Sequence, residues 1–147
     1  MTNASVVTDE MRSKPFYQLT EEMFQCVSKH NFDRLAQICD DDFGIIDINT
    51  TGGSEIIRDR KGWENWFSGL FVKLSEMKAE TWSEITHYEA VETENMGYGV
   101  VDFDQIFIAG DQKLRFSVIA TIIWKKVDNI WKESRYHSSL IKVVPFE

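Results

Sequence analysis

The sequence predicts an α+β domain in which helices lie on one face of a curved antiparallel sheet, and three observations carry that prediction. Helical and strand patterns are segregated: helix, helix, strand and helix fill the first half, and a meander of four long strands fills the second. One stretch has an unbroken helical apolar face, with Trp63, Trp66, Phe67, Leu70, Phe71 and Leu74 falling at i, i+3, i+4, i+7, i+8 and i+11. The last quarter reads as two strong strands joined at Val127-Asp128-Asn129, where Asp and Asn tolerate the positive φ of a tight primed turn.

In chain order, residues 1–14 are expected to be a flexible leader and 15–147 a single domain. Pro15 suits a first helical turn, and Phe16, Leu19, Met23, Cys26, Val27 and His30 recur at helical spacing. Asn31 is the expected N-cap of a second helix, Phe32 to Cys39, and Asp40-Asp41-Asp42 reads as the solvated turn that ends it. A first strand, Phe43 to Asn49, closes at Thr50 to Gly53. The extended piece Glu55–Arg58 follows, and Asp59 then caps the helix with the apolar face. Lys78 to Ala90 alternates as a strand, with Trp82, Glu84, Thr86 and Tyr88 on one face. Met96 to Ile108 alternates likewise, with Tyr98, Val100, Asp102 and Asp104 together. Ala109-Gly110-Asp111 then turns into the strand Gln112 to Lys126.

At 147 residues the chain can bury about two thirds of its unfolded surface in one core. An apolar content of 43% with 13% aromatic excludes disorder as the main state. The net charge of −8, with no basic run longer than Lys125-Lys126, argues against nucleic acid and anionic membrane surfaces as partners. The start of the chain lacks a basic, then apolar, signal pattern, and every apolar run is too short to span a bilayer. A cytoplasmic location is the expectation. Cys26 and Cys39 lie on apolar helical stripes, in no metal-binding or redox spacing, and read as buried small hydrophobes. His30, His87 and His137 are scattered, so neither a metal nor a cofactor is expected.

Chemistry concentrates in the final strand. Strict alternation puts Trp131, Glu133, Arg135, His137 and Ser139 on one face. A carboxylate, a guanidinium and an imidazole in a row must be solvated, mutually paired, or lining a cavity, because an unpaired buried charge costs several kcal/mol. Arg135 and His137 are therefore the leading site candidates, with Asp47 and Glu133 as partners. On that reading Arg135 clamps an anionic or carbonyl oxygen while His137 or Asp47 moves a proton. The alternative is structural: Arg135 pairs with Glu133, Asp47 or Asp102, and His137 bonds Thr121 or a backbone carbonyl. Trp63 and Trp66 pack on the sheet and also roof any cavity. Trp82 and Tyr98 are candidates for its wall or for a dimer face. Asp102 and Asp104 share a strand face, too far apart for paired acid–base work, and one of them is expected to meet Arg115 across the sheet.

The order of elements, the passage Phe32-Asp-Arg-Leu-Ala-Gln-Ile-Cys-Asp-Asp-Asp-Phe43 and the closing hairpin from Ala120-Thr121 through Trp124, Asp128-Asn129, Trp131 and Arg135 to His137-Ser-Ser139 together resemble the NTF2-like superfamily, in its SnoaL-like branch, over about residues 15–143. The resemblance implies a cone of three helices on a strongly curved, mostly antiparallel sheet enclosing a pocket, and a homodimer through the outer sheet face. It also implies a small apolar or carbonyl-containing ligand and, for an enzyme, cofactor-free isomerisation or dehydration. The base aspartate of ketosteroid-isomerase-like members falls at Asp47. Their oxyanion donors fall at Met23 and near Ala120, which cannot serve, so that particular activity is not expected. The fold also hosts assembly domains, so a non-catalytic dimerisation or accessory module with a side-chain-filled cone is the alternative. A subunit serving a larger enzyme is a third reading.

Overall fold

The computed structural model describes residues 7–48 and 53–145. A one-turn helix, α1 (Asp9–Arg12), is capped by Thr8 and buries Met11, so the second half of the expected leader is a placed part of the fold; residues 1–6 lie outside the described residues. Then come α2 (Tyr17–Ser28) and α3 (Phe32–Ile38), the latter capped by Asn31, whose side chain accepts from the Arg34 N–H. Next are β1 (Cys39–Ile48), the short β2 (Ser54–Ile57) and α4 (Arg60–Glu76), where the Asp59 side chain accepts from the Gly62 N–H at 2.7 Å. The expected turn at Thr50–Gly53 falls largely outside the described residues. β3 (Glu80–Glu92), β4 (Met96–Ala109), β5 (Gln112–Val127) and β6 (Ile130–Pro145) complete the chain.

The six strands form one sheet in the order β2-β1-β6-β5-β4-β3, antiparallel throughout except for the parallel β1–β6 pair. The last hairpin turns at Asp128 (φ 51°) and Asn129 (φ 65°), the conformation those residue types tolerate best among those with a Cβ. The helices cover the concave face. Trp63 of α4 is wholly buried, with its ring against Phe32, Phe43 and Phe67 at 5.8–6.2 Å. Phe16 stacks on Trp124 at 5.6 Å and meets the edge of Trp131 at 4.9 Å. Burial of so many rings supplies the main drive for folding, on the order of 2–3 kcal/mol for each fully buried aromatic.

Three readings need correction. The acidic run is not a turn: β1 begins at Cys39 and takes in Asp40–Asp42. Asp40 is buried against Lys125 of β5, its Oδ2 2.7 Å from Nζ. Burial pushes its carboxyl up, but Lys125 and the N–H groups of Asp41 and Asp42 outweigh that and hold it below the usual range. In β3 the register shifts between Ile85 and His87, so Thr86 is an extra residue. Trp82 and Glu84 stay on the outer face, while Tyr88 turns inward, is fully buried and donates to the Pro15 carbonyl at 2.7 Å. The third correction is in β6, where the same device decides what the site contains.

Candidate active site

Opposite residues on neighbouring strands share a face, so the register identifies which side chains point into the cone. On β5 the buried row is Val118, Ala120, Ile122 and Trp124, and these pair with Leu140, Ser138, Tyr136 and Glu133. The register shifts between Ile123 and Trp124, whose partners are Arg135 and Glu133, leaving Ser134 as the extra residue of a bulge. Alternation therefore breaks at this point. Glu133 faces inward; Arg135 and His137, opposite Ile123 and Thr121, face outward and are exposed. The sequence expectation that Glu133, Arg135 and His137 share one face is thus overturned by one inserted residue.

Arg135 lies across Gly44 of β1, where an added Cβ would come within 3.2 Å of Arg135 Cδ. Its guanidinium donates to the carbonyls of Asp42 and Ser134 and sits 3.5 Å from the Asp42 carboxylate. Half-exposed, this pair contributes little. Trp82 and Tyr98 are also on the outer face: Trp82 Nε1 donates to Glu84 at 3.0 Å, and Tyr98 is exposed opposite Ile123. Asp102 and Asp104 pair with Ile119 and Ser117 on that side. Asp104 accepts from Arg115 at 2.9 Å and from Ser117 at 2.8 Å.

The interior polar groups are instead Asp47, Ser138, Tyr136, Glu133 and Cys39. Asp47 stands near the end of β1, beside Ser138 of β6. Ser138 Oγ donates to Asp47 Oδ1 at 2.6 Å, and the Ile48 N–H donates to the same oxygen at 2.8 Å. Burial raises the Asp47 carboxyl above its ordinary range despite these two donors. Tyr136 precedes Ser138 on the same inward face of β6, opposite Ile122. Burial, with the nearby Asp47 and Glu133 carboxyls, pushes that phenol well above its ordinary value. Glu133 is 1% exposed; its Oε1 accepts from Cys39 Sγ at 3.6 Å and its Oε2 has no partner. Burial pushes its carboxyl up to about 8, only slightly offset by the thiol. Trp124, directly opposite Glu133, and Trp63 each carry a buried indole N–H without a partner. Trp66 is half-buried, its ring edge-on to Phe67 at 4.9 Å.

Tyr136 and Ser138 were missed because alternation assigned them to the opposite face from Glu133. The signal that could have found them is the pair itself, two hydroxyls on one strand parity. Half-buried Ile48, Trp66, Leu70, Phe116, Tyr136 and Leu140 border the aromatic core. Two open surface grooves, of about 400 and 320 Å³, lie beside α1 and α2, and neither is lined by Asp47, Tyr136 or Glu133. Among the described residues no group of three His, Cys, Asp or Glu is placed to hold a metal ion, and no helix is long and apolar enough to cross a membrane.

Helices packed on one face of a six-stranded curved sheet make the NTF2-like, cystatin-like cone fold. Residues 17–143 match the model of the SnoaL-like domain, and the chain belongs to that family. Solved structures share the fold. A hexachlorocyclohexane dehydrochlorinase (LinA, type 2) is 20% identical, with 88% of this chain and 84% of that one covered and a TM-score of 0.71. A candidate scytalone dehydratase from Novosphingobium aromaticivorans is 11% identical, with 94% and 88% covered and a TM-score of 0.73. A candidate calcium/calmodulin-dependent protein kinase II association domain from Xanthomonas campestris is 13% identical, with 96% and 97% covered and a TM-score of 0.73. At these identities the likeness is one of fold. No curated protein matches the chain.

Proposed function

We propose that the cone binds a small, apolar, carbonyl-containing molecule and that Asp47 moves a proton on it without a cofactor, in an isomerisation or dehydration. The observation that carries this is the Asp47 carboxylate itself, held by Ser138 at 2.6 Å inside an apolar interior and raised by burial toward the range useful to a general base. The names of two fold neighbours, a dehydrochlorinase and a candidate dehydratase, are in keeping with proton abstraction from carbon. Arg135 and His137, on the outer face, take no part in this reading, and Trp66 stands at the border of the site. A homodimer through the outer sheet face, where Tyr98 and Thr121 are exposed, belongs to the same proposal.

The test uses 2-tetralone, a neutral apolar ketone with an acidic α C–H. Titration should quench the fluorescence of Trp63 and Trp66 saturably, and Asp47→Asn should keep that binding. Absence of saturable binding to the wild-type protein would sink the proposal. A second reading, a non-catalytic assembly module, is favoured by the ring-filled interior around Trp63 and by the association-domain neighbour. It predicts a ring larger than a dimer in native mass spectrometry and no ketone binding.

A further inference from the structure

Phe16 is strained and buried at once. It precedes α2 with φ 63° and ψ 3°, a left-handed conformation rare for a bulky residue, and no side chain caps the helix there. Its carbonyl accepts from the N–H and the hydroxyl of Thr20, at 2.9 and 2.8 Å. Its ring stacks on Trp124 at 5.6 Å and 13°, and meets Trp131 edge-on at 4.9 Å. It also lies over Gly97 of β4, where an added Cβ would come within 2.6 Å of two ring carbons. A glycine inside a strand marks a place where something else approaches closely, and here that is a ring from another element. Phe16 thus fills a flat slot with Gly97 as its floor and Trp124 as its wall. Two buried polar groups belong to the same wall. Trp124 is the cross-strand partner of both Gly97 and Glu133, and its indole N–H and Glu133 Oε2 find no partner among the described residues. Before the slot runs a strap, Thr8 to Pro15, fastened twice to Tyr88: Lys14 Nζ donates to the Tyr88 carbonyl at 3.1 Å, and the Tyr88 hydroxyl donates to the Pro15 carbonyl at 2.7 Å. The open groove of about 320 Å³ flanks this strap and is lined by Ser13, Lys14, Phe16 and Trp131 among others, so the slot borders the surface.

We propose that this slot is a second ligand site, for a planar, neutral aromatic molecule with a hydroxyl on its rim, and that Phe16 is its built-in occupant, released with the strap when such a molecule binds. The incoming ring takes over the stack on Trp124 and the space above Gly97. Its hydroxyl donates to Glu133 Oε2 and accepts from the Trp124 indole, which gives both orphaned groups a partner. Phe16, once freed, returns to the negative φ ordinary for its type, so the strain of the closed state is recovered on opening. Against these gains stand the two fastenings at Tyr88 and the burial of Met11, which keep the strap down when no ligand is present. A charged ligand is disfavoured, because it would lose its hydration beside a buried carboxyl. The slot lies at the hairpin end of β6, two inward steps of about 7 Å from Ser138, and does not depend on proton transfer at Asp47.

The probe is 2-naphthol at pH 7, with binding followed by tryptophan fluorescence and strap release by hydrogen exchange and mass spectrometry on the full chain. In the wild-type protein, saturable binding should speed exchange of the Arg12, Ser13, Lys14 and Tyr17 amides, all hydrogen-bonded in the closed state, by about tenfold. A ligand seated elsewhere would slow exchange or leave it alone, so acceleration confined to the strap marks displacement. Phe16→Gly tolerates the left-handed backbone and removes the ring, and it should bind 2-naphthol at least about tenfold more tightly than wild type. Naphthalene, which leaves Glu133 and the indole unpartnered, should bind wild type about tenfold more weakly than 2-naphthol. Saturable binding that does not speed strap exchange overturns the proposal, and so does wild-type protein that binds no 2-naphthol. If Phe16→Gly does not fold, these wild-type readings decide alone. Naphthalene that binds as tightly as 2-naphthol overturns the part given to Glu133 and the Trp124 indole.

Discussion

The two faces of β6 hold opposite solutions to the same problem. Outward, Lys132 donates to the Gln37 carbonyl, Arg135 lies along Asp42, and His137 is open to solvent. Inward, Glu133 and the Asp47 bonded to Ser138 share an apolar interior with neutral hydroxyls, a thiol and indoles. The cations of this strand are therefore spent on the surface, where water screens them, and its acid is kept in the interior, where among the described residues no cation is paired with it. The difference teaches that a strand's chemistry is set by parity. Here parity is set by Ser134.

Placing a cation on the inner face is the strongest way to break the comparison. Ile122→Lys would bury an ammonium opposite Tyr136, at a wholly buried position, and should abolish cooperative thermal unfolding as read by circular dichroism. A normal melt would show that the inner face is not closed to charge. Next in size is the pH dependence of stability. Glu133 titrates near 8 folded against an ordinary 4.5. Below about 4.5 both states hold the proton and the neutral acid's contribution is complete; between 4.5 and 8 only the folded state holds it, so stability falls as pH rises; above 8 the loss is complete. Glu133→Gln should remove this slope, changing its stability relative to wild type by on the order of 4 kcal/mol between pH 4 and pH 8.5 in urea titrations. A constant offset between the two proteins across that range would count against a neutral Glu133. Smallest of all, Arg135→Ala should cost less than about 1 kcal/mol and leave 2-tetralone affinity unchanged, the reverse of what the sequence alone suggests. A large loss of affinity would return Arg135 to the site.

Much of the fold was legible because its signals are local. Asn31 and Asp59 cap the helices they were expected to cap, the apolar face of α4 is the buried one, and Asp128-Asn129 make the turn. Asp104 meets Arg115 as anticipated. The bulges were not legible, because Thr86 and Ser134 are ordinary strand residues and an extra residue shows only once a partner strand supplies the register. The faces of Tyr88, Arg135 and His137 came out differently for that reason. Asp40 failed differently: a run of acids resembles a turn until a lysine eighty-five residues away in sequence is placed beside it.

The parallel pairing of β1 with β6 has a kinetic side. It joins Ile46 to His137 and closes a loop of about ninety residues, a contact whose entropy must be met before it stabilises anything. During synthesis α2, α3, β1 and α4 emerge well before their partner strand, and until the final hairpin arrives β1 has only the four-residue β2 beside it. Asp47 meets Ser138, and Cys39 meets Glu133, only at that closing step. The polar interior is thus the last part of the molecule to come into existence, and a chain stalled before Ile130 offers β1 as an open edge to any strand that finds it first.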